Sequence, residues 1–373
     1  MQQEEIFFQL IRFALEKGRP VPECARQADW DALYDISMKQ TLAGIVYHAI
    51  KQLPDDMQPK DDLAIKWLLR GEKIRHRNQL LNAECMRQCR ELAQQGLRTC
   101  LLKGQGNALL YPTPYMRTPG DIDLWTDESR EKVIRTIRRL HPATTLETMH
   151  IAYTVGKKIP VEVHFYPSYA NYIVSDMRLK RYFREQASEQ FANHVCLPEY
   201  SDPICVPTVA FNRIYQLSHI YRHLFYEGIG LRQVIDYYYL LRQGFTAEEK
   251  AAFEQTARHL KLYRFACGLM YILRDTLGLA EEYLIAPADE ADGQFILSEI
   301  MTAGNMGHHD PRFGDTRNET TLHRFVRKRK RSLAFVGKYG MEAIAEPFST
   351  TRQWIWAKRH ADTPRTQTDD NKH

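Results

Sequence analysis

An α+β fold is predicted for this chain: a small mixed sheet between N-terminal helices and a C-terminal helical bundle. Three observations predict it. Residues 1–95 carry apolar side chains at helical spacing, residues 96–170 break into short β-type runs separated by glycine and proline, and helical periodicity returns beyond about residue 171. The expected divisions are an N-terminal helical region at 1–95, an α/β core at 96–170, a C-terminal helical domain at 171–350 and a disordered tail at 351–373. With 373 residues, 44% hydrophobic and 26% charged, the chain is long enough to bury a sizeable core.

In the N-terminal region Phe7, Phe8, Leu10, Ile11 and Ala14 cluster on one helix. A second helix follows Asp29 as N-cap, with Trp30, Leu33, Ile36 and Ser37 on one side. From about Asp61 to Gln95 a longer helix is charged on one face and carries Leu68, Leu69, Ile74, Leu80 and Leu81 on another. The core then begins with "LRTCLLKG" and "GDIDLW". A helix in "TDESREKVIRTIRRL" is expected to be capped by Thr126, with Val133, Ile134, Ile137 and Leu140 as its buried stripe. "MHIAYTV", "GKKI" and "PVEVHF" predict a hairpin turning at Gly156 and the two lysines. Beyond residue 171, stretches such as "VAFNRIYQLSHIYRHLFYEG" and "GLRQVIDYYYLLRQG" predict the closing helices, while "DTPRTQTDDNKH" has nothing apolar to bury.

Composition narrows the function classes. A formal charge of +5 from 51 basic and 46 acidic residues weakens the argument for general nucleic-acid binding from charge alone, leaving room for a local basic patch. The seven cysteines are scattered without a CxxC pair, which favours a reducing cytoplasm over a disulfide scaffold or zinc knuckle. No apolar run reaches the roughly 18–20 residues of a membrane span, and the first residues carry two glutamates where a signal peptide needs positive charge.

The chemistry sits in the core. Side chains alternate along a strand, so Asp121 and Asp123 emerge on one face while Ile122 and Leu124 point to the core. Two adjacent carboxylates repel unless a cation lies between them, and Mg²⁺ (or Mn²⁺) suits them, with substrate phosphates completing its shell. "PVEVHF" repeats the design: if that strand lies next to the first, Glu162 can complete a three-carboxylate site, holding a second metal or drawing a proton from an attacking hydroxyl, and His164 could orient Glu162, touch the acceptor or merely hydrogen-bond. Upstream, Lys103, Gly104, Gln105 and Gly106 end a strand and enter a helix, a turn suited to phosphate. Arg117, four residues before Asp121, could reach a triphosphate with its planar fork or pair with a nearby acid.

Together these residues resemble a known family. "LLKGQGNALLYPTPYMRTPGDIDLW" followed by "VEVHFYPS" resembles the uncharacterised nucleotidyltransferase family of the DNA polymerase β-like superfamily, specifically over about residues 95–170 and more weakly in the helical flanks. The resemblance implies a nucleotidyltransferase core, Asp121 and Asp123 as metal ligands, Glu162 as the third carboxylate, and Lys103 to Gly106 as the phosphate turn. Gln105 departs from the Gly-Ser or Gly-Gly of the wider superfamily, leaving phosphate contact to Lys103, Gln105 or the backbone. The expected activity is metal-dependent transfer of a nucleoside monophosphate from a nucleoside triphosphate (ATP or another) to a hydroxyl or similar acceptor. A small-molecule acceptor is favoured over an RNA end or protein side chain. The alternative is a nucleotide- or partner-binding protein without turnover.

Four further features have mainly structural readings. His219 and His223 could bind metal with Asp236, but a packed pair is favoured. The same holds for His308 to Asp310. The basic run "HRFVRKRKRS" at 323–332 is favoured as a solvated helix face over an RNA site, and Tyr237 to Tyr239 as packing.

Overall fold

Helices dominate both ends of the chain and a five-stranded sheet occupies its middle. The computed structural model describes residues 2–156, 158–308, 310–313 and 320–359, and only the backbone of 321–325, 357 and 358. In chain order the helices before the sheet are α1 (Gln2–Leu15), α2 (Trp30–Lys39), α3 (Ala43–Ile50) and α4 (Asp61–Gln94). The mixed region holds β1 (Cys100–Leu101), α5 (Gln105–Ala108), β2 (Ile122–Trp125), α6 (Arg130–Leu140), β3 (Thr145–Leu146), β4 (His150–Val155) and β5 (Ile159–His164). Then come α7 (Ile173–Gln190), β6 (His194–Cys196), β7 (Pro203–Cys205), α8 (Val209–Tyr226), α9 (Leu231–Leu241), α10 (Ala247–His259), α11 (Tyr263–Tyr271), α12 (Glu290–Ala303) and α13 (Thr321–Arg359). No helix among the described residues is long and apolar enough to cross a membrane.

The chain folds into two units of interleaved segments. One comprises Met1–Leu80, Asn107–Pro119 and Val209–Lys338; the other comprises Leu81–Gly106, Gly120–Thr208 and Tyr339–His373. The first is helical. Phe7, Leu10 and Ile11 of α1 are buried, and Asp29 caps α2 by accepting from the Ala32 N–H. Helix α8 is buried from Phe211 through Tyr221. The tyrosine run of α9 is core: the Tyr237 hydroxyl donates to the Arg213 carbonyl and that of Tyr239 to the Leu15 carbonyl. After α12, Gly307 has φ +67°, and a Cβ there would lie 2.1 Å from the Glu227 carbonyl oxygen, so only glycine fits this turn.

The second unit holds the mixed sheet, ordered β1-β2-β5-β4-β3. β2 and β5 are parallel, and the other neighbours are antiparallel. A parallel pair needs a long crossover, which α6 and β3–β4 supply. The predicted hairpin forms as β4–β5, with Val155 opposite Ile159 and His150 opposite His164.

Several expectations need correction. Helix α6 is capped by Ser129, whose hydroxyl accepts from Lys132 N, while Thr126 accepts from the Glu128 N–H one turn earlier. On α4, Leu68 and Leu69 are exposed. The buried stripe runs instead through Trp67, Ile74, Asn78, Leu81, Cys85, Gln88 and Leu92, whose three- and four-residue spacing keeps one face inward. A small β6–β7 ladder lies in the region expected to be helical. Helix α13 continues to Arg359 past the expected start of the tail at 351, carrying Trp354, Ile355 and Trp356 at its end; residues 360–373 lie outside the described residues.

Candidate active site

The pairing of β2 with β5 puts Asp123 in register with Glu162, and cross-strand partners share a face. Asp121 stands just before β2 and is half-buried, as is Glu162, while Asp123 is 1% exposed. One oxygen from each of Asp121, Asp123 and Glu162 lies within 4.8 Å of the others. Asp121 and Asp123 converge on Glu162 while Ile122 and Leu124 lie in the core, and all four residues of β2 are buried. Three carboxylates gathered at such depth fit a hard divalent cation, which binds oxygen ligands and offsets their mutual repulsion.

Basic groups already face these acids. Lys103 Nζ lies 3.1 Å from Asp123 Oδ2, and the Leu102 N–H donates to the Asp123 carbonyl, which carries the β1–β2 pairing up to this lysine. Burial works against the charge of Lys103, but Asp123, Asp121 and Glu162 outweigh it and raise its pKa. His164 Nε2 lies 2.9 Å from Asp123 Oδ1 and 3.3 Å from Glu162 Oε2. Burial disfavours the imidazolium, yet the bonds to the two carboxylates prevail and lift His164 to about 9. Burial likewise opposes ionisation of Glu162. The His164 bond and the charges of His150 and His164 overcome it, leaving Glu162 at about 2. Asp123 too is lowered against its burial, by Lys103 and His164.

The predicted phosphate turn divides. Gly104 takes φ +62° with its Cα side 3.5 Å from the Asp121 carbonyl oxygen, measured at the Cβ position, so the turn lies against the start of β2. The Gly106 N–H closes the turn onto the Lys103 carbonyl at 3.2 Å. Gln105, by contrast, is buried and donates to Asn82 Oδ1 on α4, so its side chain serves the scaffold.

Arg117 is not a surface arginine. It is 3% exposed, and its Nε and Nη2 donate to the two oxygens of Asp236 on α9, each at 2.8 Å. Tyr111 adds a hydroxyl bond to the same carboxylate at 2.6 Å. A fork engaged at both prongs makes Arg117 a structural ion pair, and the expectation that it grips a triphosphate is replaced by that role. The same pair occupies Asp236, which therefore does not join His219 and His223. Those two rings pack with centroids 4.3 Å apart.

Only two groups of metal-ligating side chains appear among the described residues, and neither includes these histidines or a cysteine. Asp310 is buried and paired with Arg312 and Arg331, while His309 lies outside the described residues. In the basic run, Arg331 is buried against the Leu224 carbonyl, and the side chains of 323–325 are not described.

Sequence reasoning missed Asn82, Asp236 as the partner of Arg117, and His150, whose Nδ1 lies 3.5 Å from Glu162 Oε2. A signal for His150 existed, because a hairpin that pairs Val155 with Ile159 also pairs 150 with 164.

The mixed sheet thus carries three carboxylates on β2 and β5 that could hold a cation. The chain belongs to the uncharacterised nucleotidyltransferase family, whose model matches residues 26–278. No curated protein matches it. Among solved structures it is similar to an antigenic nucleotidyltransferase-like protein from Paracoccidioides brasiliensis, at 13% identity and a TM-score of 0.37, over 57% of this chain and 96% of that one.

Proposed function

We propose that the chain is a divalent-cation-dependent nucleotidyltransferase that moves a nucleoside monophosphate from a nucleoside triphosphate to the hydroxyl, or a similar group, of a small-molecule acceptor. The observation that carries this reading is the convergence of Asp121, Asp123 and Glu162 within 4.8 Å in a member of a nucleotidyltransferase family. These three side chains would hold Mg²⁺ or Mn²⁺. When bound, such ions neutralise phosphate charge and stabilise the attacking and leaving oxygens.

The chain's own groups do the rest. Lys103 supplies a fixed positive charge beside Asp123 for the triphosphate, and the backbone of the Lys103–Gly106 turn would approach the phosphates beside it. His164 keeps Asp123 and Glu162 ionised and oriented. In the reaction the acceptor oxygen bonds to the α-phosphorus, the bond to the bridging oxygen breaks, pyrophosphate leaves, and the acceptor proton passes to solvent. The free cysteines fit a reducing cytoplasm as the compartment.

The test is transfer of label from ATP, CTP, GTP and UTP, each labelled in the α-phosphate, to a cell extract separated into small-molecule, RNA and protein fractions, with Mg²⁺. The proposal expects one nucleotide to give a labelled product with matching pyrophosphate. Label found only on RNA or protein would move the acceptor class. No transfer from any nucleotide to any fraction would overturn the proposal.

A further inference from the structure

Across the β4–β5 ladder His150 stands directly opposite His164, and Glu162 is two residues away on the same face. One ligand atom from each of the three lies within 4.8 Å of the others. Glu162 Oε2 sits between the two imidazoles, 3.5 Å from His150 Nδ1 and 3.3 Å from His164 Nε2. Ligand atoms about 2.0–2.2 Å from a tetrahedral zinc ion stand about 3.3–3.6 Å apart, and both separations fall in that range. Behind His150, Glu147 Oε2 lies 3.7 Å from Nε2, the side of the ring away from Glu162. A carboxylate at that place fixes the orientation and basicity of a metal-binding histidine. His150 and His164 side chains are 12% and 5% exposed, so the rings are already held by packing.

We propose that His150, Glu162 and His164 form a second cation site, selective for a borderline ion of the zinc class, that shares Glu162 with the Asp121–Asp123 carboxylates. Two imidazoles and one carboxylate suit zinc, whereas Mg²⁺ takes oxygen ligands, so the two sites discriminate by chemistry while competing for one side chain. Zinc displaces the imidazole protons as it binds and draws Glu162 away from the carboxylate site. The consequence is inhibition of nucleotidyl transfer by zinc at a fixed Mg²⁺ concentration. That consequence rests on the proposed function; the binding site does not.

The experiment is a Co²⁺ titration of the full chain at pH 8 with excess Mg²⁺, followed by visible absorption, which is intense for tetrahedral Co²⁺ and weak for octahedral. The wild type is expected to develop the tetrahedral band at one equivalent and to lose it on adding Zn²⁺. His150→Gln is expected to weaken Co²⁺ binding at least tenfold, and Asp121→Asn to leave it as strong or stronger, because Mg²⁺ then competes less for Glu162. Matching thermal midpoints without metal establish that both variants are folded. No tetrahedral band in the wild type, or a band abolished by Asp121→Asn and retained in His150→Gln, overturns the proposal whether or not transfer is ever detected.

Discussion

Asp123 and Glu162 are register partners across β2–β5, and one imidazole ties them together: His164 Nε2 lies 2.9 Å from the first and 3.3 Å from the second. The buried negative charge is therefore held in place before any ligand arrives, which is what a preformed cation site requires. Asp123→Asn keeps the size of the side chain and removes the charge. Nucleotidyl transfer should fall by at least about a hundredfold, since even outer partners of metal ligands are worth 10–100-fold. Transfer measured at saturating nucleotide and Mg²⁺ checks this, and retention of more than a tenth of the rate would count against a ligand role.

Gln105 occupies the turn but bonds inward to Asn82. Gln105→Ala should lower stability by about 1–3 kcal/mol, because a buried acceptor loses its donor, while nucleotide affinity stays within about twofold. Urea midpoints and nucleotide titrations of the same variant separate the two effects.

The Arg117–Asp236 pair joins chain segments 119 residues apart and is closed by Tyr111. Removing one partner leaves a buried charge, so Arg117→Met should destabilise the protein by about 3–5 kcal/mol. Arg117→Lys should recover only part of that, since an ammonium cannot make the two-point bond. Adding Asp236→Leu to Arg117→Met should restore much of the loss. Equilibrium denaturation of the single and double variants tests the cycle.

Acid stability should depend on Glu227. Burial opposes its ionisation, but the His223 bond and the charges of His223, Lys328 and Arg222 hold it at about 2. A carboxyl depressed on folding stabilises above its unfolded pKa near 4.3, and the contribution is lost as pH falls through the folded value. The advantage of wild type over Glu227→Gln should be on the order of 3 kcal/mol at pH 7 and shrink steadily between about pH 4.5 and pH 2. Denaturant midpoints across that range give the answer, and an unchanging difference would contradict the assignment.

Much of the site was legible in the sequence because it is local. Asp121 and Asp123 share a short segment, and Glu162 lies on a hairpin whose alternation is plain. The α6 stripe at Val133 and Ile137 and the Asp29 cap were legible for the same reason. What escaped depends on distant pairing. Nothing near Arg117 announces Asp236, nothing near Gln105 announces Asn82, and His150 acquires meaning only through the β4–β5 register. Burial of β2 on both faces likewise follows from its neighbours, not from its own alternation. Ser129 and Thr126 are both good caps, and only the path of the chain chooses between them.

The central claim is that Asp121, Asp123 and Glu162 hold the cation that binds nucleoside triphosphate. Its most direct test is calorimetric titration of ATP, CTP, GTP and UTP into wild type, Asp121→Asn and Asp123→Asn, each with Mg²⁺ and with chelator. The account predicts saturable binding of one nucleotide to wild type that requires Mg²⁺ and weakens at least tenfold in both variants. Nucleotide binding of equal strength in wild type and both variants, indifferent to Mg²⁺, would contradict it.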